Sequence, residues 1–336
     1  MFNLEVSYQL SWVKNMSTVK IGVIGCAKIA SRSVIPAINK LNTKFKLVGI
    51  ASREKLKAKN FAKKFNTIPF DDYEKLITSG GCEAVYIPLP TALNGEYAKL
   101  ALANNLHVLV EKTMSNKFDV VKELNSLAKM RNVSLIENFQ FRFHNQLDDI
   151  IQIIQSGEIG DIRCLNSSFG FPPFTDKQNI RYSSALGGGA LHDVGCYTIK
   201  IAQIILGLNI NVLSSTLYFD NNINLWGGGL LECPVSKKFA QISFGFDNHY
   251  RCSLDLWGSD GRLSSKRIFT PPPEMSPEIK IEKSTGIKKF ISKKCNHFEK
   301  ILDYFYKSIF RKNIREREYI ENINQARLIN EVKQKA

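Results

Sequence analysis

The chain has 336 residues, 44% of them apolar and 23% charged, the balance of a globular protein with room for two cores. No apolar stretch is long enough to span a bilayer, and residues 1–15 lack the basic start and apolar centre of a secretory leader. The formal net charge of +15 raises nucleic-acid binding, but no nucleic-acid motif accompanies it, so we read a solvated basic surface that steers an anionic small molecule.

Seven cysteines are present, none in a C-x-x-C pair, and the five histidines are scattered. This pattern argues for reduced thiols in the cytoplasm and against a disulfide framework, a zinc site or any other metal. Residues 1–18 are expected to be a poorly ordered extension, with Met16 an alternative start. From Val19 an apolar run has the look of a buried parallel strand. It turns through Gly25-Cys26-Ala27 and enters a helical pattern at Lys28-Ile29, running to residue 40. The spacing Gly-x-Ala-x-x-Ala is that of a dinucleotide-binding turn, with small side chains that let backbone approach phosphate.

A second strand, Phe45 to Ala51, ends in Ser52-Arg53. An acid at that point would hold the ribose hydroxyls of NAD; a hydroxyl and a guanidinium suit a 2′-phosphate. The reading is NADP(H), with Glu54 one residue later keeping NAD(H) open. A helix is expected over 54–66, a turn at Phe70 to Tyr73 and a small helix over 72–79. Glu83 to Leu89 forms a strand that runs into Pro88-Leu89-Pro90, followed by a helix over 94–104. His107 to Glu111 is a strand with Lys112 just past its end, where open α/β sheets bind ligands. A helix over 117–131 and a strand from Val133 to Glu137 complete a doubly wound parallel sheet, so residues 19–140 read as a Rossmann domain.

Past a linking helix over 144–156 the pattern changes. Short alternating runs at 161–170, 210–219, 238–246, 249–257, 262–268 and 278–293 predict a large, mostly antiparallel sheet, interrupted by one helix from Gly189 to Leu206. Residues 141–336 thus read as an α+β substrate domain whose last helices, 295–309 and 319–333, pack back on the first domain. A modest hinge is placed near 137–144. The glycine-rich run Leu225 to Leu230 admits two readings, a sheet edge covered by a second subunit or an exposed hairpin. His144 reads as a helix-start residue or a substrate contact.

Several stretches together resemble the glucose–fructose oxidoreductase/inositol dehydrogenase/MocA (Gfo/Idh/MocA) family, over nearly the whole chain from Val19. They are the turn Gly25 to Ala30, the motif Glu111-Lys112-Thr113 (proline usually holds the third place), and Gly187-Gly188-Gly189-Ala190-Leu191 followed by Asp193-Val194-Gly195-Cys196-Tyr197. Glu137-Asn138-Phe139, Asn179 to Tyr182 and Gly261 through Pro272 are similar to the 3-ketoreductases of nucleotide-linked deoxysugars. Asn94 stands where relatives usually carry a histidine near the nicotinamide pocket.

The resemblance implies hydride transfer between a nicotinamide cofactor and a sugar, in a homo-oligomer (dimer or tetramer) that binds neither nucleic acid nor membrane. It implies Tyr197 as proton donor, Lys112 as the cation that lowers the tyrosine pKa and steadies charge on oxygen, and Asp193, on the same helix face, orienting Lys112 or a substrate hydroxyl. Arg181 and Tyr182, after the Phe169–Phe174 loop, would hold a nucleotide diphosphate, or else simply pack over the sheet. The leading reading is an NADP(H)-dependent reductase of a 3-keto sugar on a nucleoside diphosphate. A dehydrogenase of a free sugar or trans-dihydrodiol, and a cofactor-binding regulator without turnover, are the alternatives.

Overall fold

The computed structural model describes residues 17–176 and 178–336, so the expected extension lies, up to residue 16, outside the described residues. The first half alternates β1 (Val19–Ile24), α1 (Ile35–Lys40), β2 (Phe45–Ala51), α2 (Lys55–Phe65), β3 (Ile68–Phe70), α3 (Tyr73–Ser79), β4 (Ala84–Ile87), α4 (Thr91–Ala103), β5 (His107–Glu111), α5 (Phe118–Arg131) and β6 (Leu135–Asn138). All six strands are parallel, in the order β3-β2-β1-β4-β5-β6. Strands buried on both faces explain the unbroken apolar runs: β4 is buried at every position. The order reverses between β1 and β4, which opens a crevice at their C-terminal ends.

Two local readings change. The helix over 28–40 runs unbroken but is not uniform: its middle, Ala30–Val34, is a widened π turn that leads straight into α1, whose first turn holds Pro36. Proline has no N–H for the preceding turn, and the chain passes it by widening. The turn expected near Phe70 includes a short edge strand, β3, where Pro69 stands opposite Ile50. Proline is tolerated there because an edge strand leaves one row of N–H groups unpaired.

The second half places α6 (Asn145–Gln155), β7 (Ile162–Gly170), α7 (Cys196–Leu206), β8 (Asn211–Asp220), β9 (Ile223–Cys233), β10 (Lys238–Gly245), β11 (Arg251–Gly258), β12 (Arg262–Ser265), β13 (Glu278–Lys283) and β14 (Gly286–Ile291) before α8 (His297–Phe310) and α9 (Lys312–Gln334). Its eight strands run β14-β13-β12-β11-β7-β10-β9-β8, antiparallel except for the β7–β10 pair. The glycine-rich run is not an edge: it is the middle of β9, between β8 and β10. A Cβ on Gly227 would sit 2.5 Å from the Thr216 carbonyl oxygen, and one on Gly228 2.5 Å from that of Ile242, so neighbouring strands press on it too closely for a side chain.

One face of this sheet packs on α7 and α9 in a core that includes Ile199, Leu254, Leu328 and Val332. Helix α8 instead packs Phe298, Ile301 and Phe305 against Ile21, Val23 and Phe45 of the parallel sheet. Helix α9 reaches both cores, with Tyr319 in the first and Leu328 in the second. A buried ion cluster ties these parts together. Arg142 donates to both carboxylate oxygens of Glu318, at 3.0 and 2.7 Å, and its Nη2 lies 3.0 Å from Glu321, which also accepts from Lys200 at 3.2 Å.

Candidate functional site

The crevice between β1 and β4 holds the expected cofactor residues. Gly25 has φ +122°, and a Cβ there would meet Leu89 Cδ2 at 2.8 Å and the Pro88 carbonyl oxygen at 3.4 Å. Only glycine fits the turn, and Pro88-Leu89-Pro90 forms its opposite wall. Cys26, Ala27 and Ile29 are half-buried along the helix start and Lys28 is exposed. At the end of β2, Ser52 is buried and its Oγ accepts the Glu54 N–H at 3.2 Å, while Arg53 stands exposed. No ion pair engages Arg53 among the described residues, whereas the Glu54 carboxylate lies 3.7 Å from Lys57. A glycine-cradled helix start with unneutralised cations beside it fits a dinucleotide carrying an extra phosphate.

The residues at the end of β5 build a second, drier centre. Lys112 Nζ donates to Asp193 Oδ1 at 2.6 Å and to the Asp193 carbonyl oxygen at 2.8 Å. The other carboxylate oxygen accepts from Arg181 Nε at 2.5 Å. Asp193 lies in a π turn, Leu191–Gly195, that opens α7. Burial works against its charge, but the two cations prevail and hold its pKa at about 2. Burial likewise disfavours the Lys112 ammonium, and Asp193 more than offsets it, raising the lysine pKa.

Tyr197 is buried in an aromatic cage: Phe139, Phe169 and Phe269 stand 5.3–5.5 Å from its ring centre, and Phe141 at 5.6 Å. Lys112 Nζ lies 5.1 Å from the same centre. The lysine does pull the tyrosine pKa down, as expected, but burial outweighs it and the phenol titrates above its usual range. The tyrosine therefore keeps its proton at neutral pH. Arg181, expected to hold a nucleotide diphosphate or to pack over the sheet, is half-buried. Its guanidinium is paired with Asp193 and lies 4.9 Å from the Phe174 ring centre, within the same cluster as Lys112. Tyr182 Oη accepts the Phe174 N–H at 3.0 Å, so it anchors the preceding loop.

Asn94 is fully buried, and its Nδ2 donates to the carbonyl oxygens of Glu111 and Thr113, at 3.2 and 3.1 Å, which flank Lys112. Glu111 is also held, accepting from Tyr86 Oη at 2.7 Å and Asn138 Nδ2 at 2.5 Å. Thr113 Oγ1 donates to the His192 carbonyl at 2.7 Å, and the Lys112–Thr113 peptide is cis. His144 caps α6, its Nδ1 accepting the Gln146 N–H at 3.1 Å, and is fully buried. Sequence reasoning missed Gln140, whose Nε2 lies 3.4 Å from Tyr197 Oη, and the caging role of Phe139, Phe141 and Phe269. The aromatic density of Phe139 to Phe143 was the available signal; nothing local in it pointed to Tyr197.

Comparison with known proteins agrees with this fold. Residues 19–139 match the model of the Gfo/Idh/MocA oxidoreductase family, NAD-binding Rossmann fold, and residues 148–264 match the family's C-terminal domain. A dTDP-3,4-didehydro-2,6-dideoxy-alpha-D-glucose 3-reductase of Saccharopolyspora spinosa is 37% identical over 267 residues, 79% of this chain and 80% of that protein. The enzyme of the same name from Actinomadura kijaniata is 33% identical over 95% of this chain and 96% of its own. A crystal structure of a 3-ketoreductase from Actinomadura kijaniata in complex with NADP and TDP-benzene superposes with a TM-score of 0.91 at 32% identity, covering 95% of this chain and 98% of that one. With both of its domains matched in one chain, the protein belongs to the Gfo/Idh/MocA family of NAD(P)-dependent oxidoreductases.

Proposed function

We propose that the protein is an NADP(H)-dependent reductase of a 3-keto sugar carried on a nucleoside diphosphate. The observation that carries this reading is the juxtaposition of Lys112, Asp193 and Tyr197 at the C-terminal edge of the parallel sheet, beside the dinucleotide crevice. The relatives named above support the substrate class.

Bound nicotinamide supplies the hydride. The Tyr197 phenol, kept protonated by burial, donates its proton to the oxygen of the reduced carbon. Lys112, fixed as an ammonium by Asp193, stabilises negative charge on that oxygen before the proton arrives and on the phenolate afterwards. Asp193 orients the lysine and Arg181 together, and the aromatic cage excludes water. Arg53 and Lys28 at the other end of the crevice hold the 2′-phosphate.

A second reading has one observation in its favour. A D-xylose 1-dehydrogenase (NADP(+)) of Haloferax volcanii is 30% identical over 77% of this chain, and it acts on a free sugar by name. Ligand-induced thermal stabilisation with NADPH, NADH, dTDP, UDP and free sugars separates the two. Stabilisation by NADPH and by a nucleoside diphosphate is expected. Stabilisation by NADPH and a free sugar, with none from either nucleotide, would transfer the assignment to the free-sugar dehydrogenase.

A further inference from the structure

We infer that Glu137 is a positioning residue for Lys112, holding the turn that carries the lysine through the Met114 backbone N–H. The inference rests on the reading of Lys112 given above for its kinetic consequence, though not for its structural one.

Glu137 lies on β6, one strand over from β5, and is only 4% exposed. Its Oε1 accepts the Met114 N–H at 2.7 Å. The segment Glu111 to Met114 is thereby held from four sides. Tyr86 of β4 and Asn138 of β6 fix the Glu111 side chain; Asn94 of α4 fixes two carbonyls; Thr113 reaches the His192 carbonyl of the π turn; Glu137 fixes the last N–H. Lys112 is the one side chain of this segment that projects to Asp193 and the Tyr197 ring.

A carboxyl in this place is costly. Burial raises its pKa to about 7, with the Met114 N–H, Lys200, Arg142 and Lys112 pulling it back down. Cys196, on α7, also feels its charge. An apolar residue of similar volume would pack there at less desolvation cost, so what the carboxyl adds at this position is its hydrogen bond to Met114. With the acceptor removed, the Met114 N–H would be left buried and unsatisfied, which is why this hydrogen bond can fix the turn.

Two variants of similar volume test this. Glu137→Leu removes the acceptor without leaving a cavity or a buried charge; Glu137→Gln keeps an acceptor oxygen at the same reach. For E137L, kcat should fall by about 10- to 100-fold while the KM for NADPH stays within about threefold, because a displacement near 1 Å at the reacting groups has that effect. E137Q should keep kcat within about threefold of the wild type, a recovery that loss of general packing does not produce. In parallel, acylation of Lys112 by an amine-reactive ester, mapped by peptide mass spectrometry, should quicken by at least about threefold in E137L and not in E137Q, because a loosened turn weakens the ion pair with Asp193 that keeps the amine protonated, with Lys117 unchanged as the internal control. The inference is overturned if folded E137L matches the wild type in Lys112 labelling and in kcat, or if E137Q behaves as E137L does. Should the wild type reduce no nucleotide-linked keto sugar, the functional reading fails alone, and the labelling still decides the role of Glu137.

Discussion

The two ends of the crevice are built on opposite principles. At the reaction end every charged group is already partnered: Lys112 and Arg181 share Asp193, and Tyr197 is caged by four aromatic rings. At the far end Arg53 and Lys28 stand in solvent, with no ion pair to either among the described residues. The first arrangement is preorganised, so its groups need little movement to meet developing charge. The second is a solvated cationic rim that, on the function proposed above, gains its partner on binding, and it should then act on affinity, on-rate and salt dependence more than on turnover.

The sharpest way to break this contrast is at the reaction end. Tyr197→Phe and Lys112→Ala should each lower kcat by about a thousandfold in an NADPH-oxidation assay, since on the proposed mechanism each removes a group that acts on the transferred charge or proton. A loss below tenfold in both would mean that the caged tyrosine is a core residue and that the chemistry lies elsewhere. Asp193→Asn comes next. Its loss leaves Lys112 and Arg181 close together without their shared anion, and kcat should fall by about a hundredfold with the KM for NADPH changed little.

The rim should respond more mildly and in a different parameter. Arg53→Ala should raise the KM for NADPH by about tenfold and leave that for NADH and kcat nearly unchanged, narrowing the preference between the cofactors. An equal rise for both cofactors would remove Arg53 from 2′-phosphate recognition.

The smallest effect tests how far preorganisation extends. His192, whose carbonyl holds Thr113, is buried with no hydrogen-bond partner at Nδ1 among the described residues, and burial, aided by Lys333 and Lys112, lowers its pKa to about 4. The folded imidazole therefore stays neutral while an unfolded one, with a pKa near 6.5, takes up a proton. Its contribution to stability is complete above pH 6.5 and is lost as the pH falls toward 4. Urea unfolding over this range should show the decline, and His192→Asn should reduce its slope by up to about 1.4 kcal/mol per pH unit. An unchanged slope would mean that this imidazole is charged in the folded protein.

Much of this molecule was readable residue by residue. Apolar runs marked β1, β2, β4 and β5 because a parallel strand is buried on both faces, and alternation marked most of the second sheet because its strands bury one. Gly25, Arg53, Lys112 and Tyr197 could be singled out because turn chemistry, charge and family-like motifs are local properties. The strand β9 was hidden by its glycines, whose missing side chains erase the alternation that reveals other strands.

What tertiary structure alone decided is which groups meet. Lys112 and Asp193 are 81 residues apart, and only the packing of the π turn before α7 against the end of β5 makes Asp193 bind the lysine with one oxygen and Arg181 with the other. The same packing decided that burial, rather than the neighbouring ammonium, governs the acidity of Tyr197. It also turned Asn94 and Glu137 inward to brace the lysine turn. Sequence periodicity reports which face of an element is buried; it carries no record of which buried polar group stands opposite, because that depends on how separate elements dock.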